Sequence, residues 1–235
     1  MRVYVKALLV GLFVSMFSGT SAGEAQTMIA LNAKERAIVS LSAFAAIGDL
    51  DNLKTALNEG LDVGLTVSEI KEALVQLYAY AGFPRSLNAL GAFMTVLEER
   101  KGKGIDDAAG RAPSPLATDR SSLEFGTANQ TKLIGKPVTG AIYDFAPPID
   151  EFLKAHLFGD IFQRDNMDWK TRELVTVAIL ASIDGLNPQL QGHYAIGMHN
   201  GLTAEQLRQT ADILGEKLGA RYGANAHDVL RKALE

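Results

Sequence analysis

The sequence contains no cysteine. That absence removes disulfides, thiolate nucleophiles, thiol-based peroxide reduction and Cys-ligated metal sites together. An excess of positive charge is also missing. The 23 Lys and Arg stand against 27 Asp and Glu, so the net charge of -4 offers nucleic acid no attractive field. Charged residues make up only 21% of a chain that is 47% hydrophobic, too apolar a balance for disorder. Sustained apolar–polar alternation is absent as well, which leaves a β-sheet without support. Long apolar runs are scarce, and only residues 7–17 (ALLVGLFVSMF) approach spanning length. Arg2 and Lys6 precede that run and the small residues SGTSA follow it, the pattern of a cleaved export signal over residues 1–22. Cleavage is expected after Ala22 or Ala25, which would place the mature protein in the periplasm or outside the cell, with no membrane attachment. No cysteine follows the run to carry a lipid anchor.

What the chain does have is length enough for a sizeable core, and an internal repeat. Residues 32–76 (NAKERAIVSLSAFAAIGDLDNLKTALNEGLDVGLTVSEIKEALVQ) align with residues 168–213 (DWKTRELVTVAILASIDGLNPQLQGHYAIGMHNGLTAEQLRQTADI), the second copy being one residue longer in its loop. Arg36 meets Arg172, Ile47 meets Ile183, and the two GLT triplets coincide. Each copy reads as three helices. Asn32 with Glu35, Thr66 with Glu69 and Thr203 with Gln206 fit capping boxes, and Asp168 a simple cap. The first helices, residues 34–47 and 170–183, are apolar on nearly all sides and so belong inside a bundle. The second helices span residues 53–63 and 190–200 and stop at Gly64 and Gly201, where a left-handed residue is inexpensive. The third helices cover residues 67–80 and 204–217. Phe83 and Pro84 then break the first copy before a helix over residues 87–100.

Four segments follow: a signal at 1–22, a first repeat at 23–100, a linker at 101–145 and a second repeat at 146–235. Gly, Pro and charge dominate residues 101–120, which read as an exposed connection. Pro147 and Pro148 open a helical pattern in which Ile149, Phe152, Leu153, His156 and Leu157 form one stripe. The fold class is an all-α bundle of two tandem repeats.

FLKAHLFGDIFQRDNMDWKTRELVTVAILASI followed by QLQGHYAIGMHNGLTAEQL resembles the carboxymuconolactone decarboxylase family, a relative of the alkylhydroperoxidase D group. The resemblance implies helical subunits that assemble as trimers or hexamers, with sites between packed helices. In the peroxidase branch a Glu in the first helix precedes a Cys-x-x-Cys pair and a His. Glu173 matches that Glu and His193 that His, while the Cys slots fall near Leu186 and Gln189, which cannot carry electrons. The acid and base without the dithiol fit the decarboxylase branch better. The first copy has Ala37 and Ala56 at these positions, so only the second is expected to carry the chemistry.

The candidate catalytic residues are therefore Glu173 and His193, each with a structural alternative: a helix-start ion pair for the carboxylate, a core carbonyl partner for the imidazole. Gly192 leaves room for a ligand beside His193. Arg172 is a candidate for binding a substrate carboxylate and equally for an ion pair that Arg36 would share. His156 and Trp169 are secondary candidates for the pocket wall, with Gln189 at its edge, and His199 is assigned to the surface or an interface. The scattered histidines suggest no metal site. The resemblance implies a lyase that releases CO2 from a small carboxylated lactone or related organic acid, the lactone carbonyl serving as electron sink, so that no cofactor is needed. A noncatalytic small-ligand or scaffold oligomer of the same fold is the alternative, and peroxidase chemistry is disfavoured.

Overall fold

The computed structural model describes residues 30–235; the expected signal lies outside them. Every regular element among the described residues is helical. The first copy comprises α1 (Ala33–Ile47), α2 (Leu50–Asp62) and α3 (Val67–Gln76), continued by a short α4 (Tyr78–Ala81) and a long α5 (Phe83–Gly102). After the connection come α6 (Ser122–Ile134), α7 (Ala141–Phe145) and α8 (Pro147–Phe152), the last running into a π-helical segment, Leu153–Ile161. The second copy comprises α9 (Trp169–Ala181), α10 (Asn187–His199) and α11 (Ala204–Leu218), closed by α12 (Ala220–Leu234).

The expected caps set the helix starts. Asn32, Thr66 and Thr203 form complete capping boxes, and Asp168 accepts the Thr171 amide at 2.7 Å. The second helices begin a turn earlier than the apolar pattern suggested. Asp49 caps α2 by accepting from the Asn52 amide, and Pro188 occupies the first turn of α10, where its missing N–H costs nothing. Pro84 likewise sits in the first turn of α5 and starts that helix rather than preceding it by several residues. The interruption of the third helix falls earlier, at Leu77 between α3 and α4.

Beyond their first turns α1, from Ile38 to Ala46, and α9, from Arg172 to Ala181, are buried on all sides and pack on each other at the centre, with α2, α10 and α11 around them. One hydrophobic core therefore contains both copies. The third helices cross between them. On α3, Glu72 pairs with Arg172 of α9 at 2.7 Å, and on α11 the Gln209 side chain accepts from the Leu31 amide at 2.9 Å.

Beyond the end of α5, residues 103–120 are irregular and largely exposed, yet they are tied down. Buried Arg100 binds Asp107, the Ala108 and Ala109 carbonyls accept from the Val67 and Ser68 amides, and Arg111 pairs with Asp165. Residues 121–145, expected as linker, instead hold two helices. The longer of them, α6, packs closely on the π-helical segment through Gly126 and Gly159. A Cβ on Gly126 would overlap the Lys154 carbonyl, and one on Gly159 the Ser122 carbonyl, so backbone meets backbone here. The expected stripe is only partly buried. Leu157 is buried, but Ile149 and Phe152 face outward.

Candidate active site

α9 and α10 form a hairpin that turns at Gly185 (φ 87°). Across it, the imidazole Nδ1 of His193 lies 2.7 Å from Glu173 Oε2. Glu173 is fully buried and the His193 side chain 14% exposed, so the carboxylate holds the ring from behind. With Nδ1–H donated to Glu173, the free imidazole nitrogen is Nε2. The second carboxylate oxygen, Oε1, is buried without a hydrogen-bond partner among the described residues.

His193 opens on a cavity of about 480 Å³. Its walls come from five places: Tyr80 at the end of the first copy, Gln130 and Ile134 of α6, Val138 and Tyr143 of the segment after it, Leu153, Leu157 and Phe158 of the π segment, and Leu180 through Ile196 of the second copy. Gln189, Leu186 and Gly192 line it beside His193, and a Cβ on Gly192 would meet only open space. The ring of Tyr80 stands edge-on to His193 with centroids 5.9 Å apart. Its hydroxyl is buried without a well-formed hydrogen bond among the described residues, and burial together with the nearby Glu173 charge pushes its pKa up, so it stays a neutral phenol.

Three expected site residues lie elsewhere. Arg172 is fully buried, and its two terminal nitrogens bind Glu72 (2.7 Å), the Gln76 amide oxygen (3.0 Å) and the Arg164 carbonyl (2.8 Å), outside the cavity lining. It cannot receive a substrate carboxylate. The equivalence with Arg36 also fails, since Arg36 is exposed. His156 is exposed and bound to Asp160 at 2.8 Å, one turn along its own segment. Trp169 donates its indole N–H to the Phe162 carbonyl and lines a separate cleft with Phe125 and Arg120. His199 is exposed and rests against Gly135, away from the cavity lining.

Two residues escaped the sequence reading. Tyr80 belongs to the copy expected to contribute no site residue, and Gln130 lies in the segment expected to be linker. The signals were weak: YAY interrupts a helical pattern, and a glutamine among the apolar residues of α6 resembles any surface amide.

The fold and the pair define an all-α tandem bundle with an acid–base dyad facing an apolar cavity. The chain belongs to the carboxymuconolactone decarboxylase family, whose model matches residues 13–94 and 147–220. Comparison with curated proteins finds no match.

Proposed function

We propose that the protein is a carbon–carbon lyase that releases CO2 from a small carboxylated lactone or related organic acid. The observation that carries this reading is the 2.7 Å contact of His193 with buried Glu173 at the wall of the cavity. In the proposed reaction the bond from carbon to carboxylate breaks, CO2 leaves, and the electron pair delocalises into the substrate carbonyl. Protonated His193 then gives its Nε2 proton to the carbanion carbon, and solvent restores that proton for the next turnover. Glu173 fixes the ring and balances its charge while the proton is held. The carbonyl is the electron sink, so the chain's own residues need only orient the substrate, exclude water and deliver one proton.

The N-terminal sequence supports export, and the family resemblance supports a homo-oligomer, a trimer or hexamer. Screening the purified mature protein against carboxylated lactones, with released CO2 as readout, tests the lyase reading. Turnover that disappears in His193→Gln is the expected result. Ligands that raise the melting temperature while none of the panel releases CO2 would instead point to a binding protein of the same fold.

A further inference from the structure

The same cavity carries a second piece of information, in the charges it does not hold. No lysine, arginine, aspartate or glutamate is among its described lining residues, and the arginine nearest in sequence to the dyad, Arg172, is fully buried against Glu72 and Gln76, outside that lining. The one lining group able to carry a positive charge is His193. Ile134, Val138, Leu157, Phe158, Leu180 and Ile196 supply the apolar wall. Besides the Tyr80 hydroxyl, a second polar group stands against that wall without a side-chain partner. Gln130 is 3% exposed as a residue, lines the cavity, and its side chain makes no hydrogen bond among the described residues.

An amide that faces a cavity with no protein partner is free to complete its hydrogen bonds with a ligand there. Gln130 sits on α6, which its glycine crossing clamps against the π segment, so the amide is held on a rigid element opposite α10. Building on the lyase reading, we propose that the cavity selects a compact, largely apolar monocarboxylate bearing a carbonyl group, whose carbonyl oxygen accepts a hydrogen bond from the Gln130 amide while its one charge lies at His193. Two carboxylates are excluded because the second would be buried with no cation to meet it. In turnover the amide donor follows the carbonyl oxygen as it becomes an enolate, so it serves binding and charge development at one atom.

The test is direct binding, measured by calorimetry on the intact protein with three stable probes of one size class. These are 5-oxotetrahydrofuran-2-carboxylate (one charge and a carbonyl), 5-oxotetrahydrofuran-2,3-dicarboxylate (two charges) and cyclopentanecarboxylate (one charge, no carbonyl). We expect the first to bind at least ~100-fold more tightly than the second, the scale set by one unpaired buried charge. Gln130→Leu should weaken the first by about 10-fold and leave cyclopentanecarboxylate unchanged. Gln130→Glu, which keeps the shape, should weaken both monocarboxylates by adding a like charge. Binding of cyclopentanecarboxylate to Gln130→Leu doubles as the control for folding. If that variant fails to fold, the Gln130→Glu comparison and the charge series on the unmodified protein still decide. Equal affinity for the mono- and dicarboxylate, or loss of both monocarboxylates in Gln130→Leu with its melting temperature retained, would overturn the proposal. Selective monocarboxylate binding without CO2 release would defeat the lyase reading and leave this one standing, whereas CO2 release with strong dicarboxylate binding would do the reverse.

Discussion

Glu173 occupies in the second copy the place that Ala37 occupies in the first, and each meets a glycine of the following helix. A Cβ built on Gly197 would lie 3.7 Å from the Glu173 Cβ, and one on Gly60 would lie 3.9 Å from the Ala37 Cβ. The same packing thus brings the same two helices together twice, and only one of the two close approaches carries a charge. At the second, the helix spacing delivers His193 to the carboxylate; at the first, Ala56 is simply core.

That geometry makes the dyad a unit. Glu173→Gln preserves shape and deletes the charge, and turnover should fall by roughly 10² or more with little change in melting temperature. His193→Gln should fall similarly. The double variant should lose little beyond the worse single variant, and steady-state kinetics in which the two losses multiply would show that the residues act independently.

Gly197 should tolerate less than Gly192. A Cβ at Gly197 would come within 2.9 Å of Leu202 Cδ1, whereas one at Gly192 meets nothing within 4 Å. The α6 crossing is tighter still, because backbone carbonyls are what a methyl group would strike. Gly126→Ala is expected to cost at least ~2 kcal/mol and to lower Tm by about 4–8 °C. Gly91→Ala, in open space on α5, is the control and should be neutral or slightly stabilising. Thermal unfolding of the two variants side by side settles the comparison.

The pair of Glu72 with Arg172 predicts acid sensitivity. Burial pushes the Glu72 carboxyl up, but hydrogen bonds from Arg164 and Arg172, with the Arg172 charge, outweigh it and leave its pKa below the ordinary 4.5. Burial holds Arg172 below its usual value without neutralising it at any pH of interest. A carboxyl depressed in the folded state contributes stability that is present above the unfolded value and lost as pH falls through the folded one. Stability should therefore drop as pH is lowered from about 4.5. Glu72→Gln should cost about 3 kcal/mol at neutral pH, by stranding buried Arg172, and should flatten that drop. Denaturant melts at a series of pH values read both effects.

Ile142, Phe145 and Phe152 stand 61%, 86% and 63% exposed on α7 and α8, beside the cavity wall. Such apolar exposure on a small chain is expected to be covered by another subunit. Light scattering at micromolar concentration should give a trimer or hexamer, and Phe145→Asp combined with Phe152→Asp should reduce its mass. A wild-type monomer would remove the oligomer from the proposal.

The helix inventory of the two copies was legible because it depends on local chemistry. The Asn32, Thr66 and Thr203 boxes satisfy amides within one turn, and the apolar faces of α1 and α9 announce burial whatever surrounds them. Glu173 and His193 could be paired in advance for a related reason: they sit on consecutive helices, and a hairpin leaves few ways to pack them. The remaining site residues depended on partners distant in the chain. Arg172 reads as an available cation until Glu72, a hundred residues earlier, is seen to claim it. His156 falls on an apolar stripe only if its segment is an α-helix, and the π geometry, shaped against α6, turns that ring outward to Asp160. Tyr80 and Gln130 reach the cavity because the first copy and the connection fold back onto the second, a contact set by long-range packing that no local pattern encodes. Sequence alone determined the three helices of each copy and which two side chains meet across a hairpin; the tertiary structure alone decided which charges remain free to meet a ligand, since pairing in a shared core depends on where distant elements come to rest.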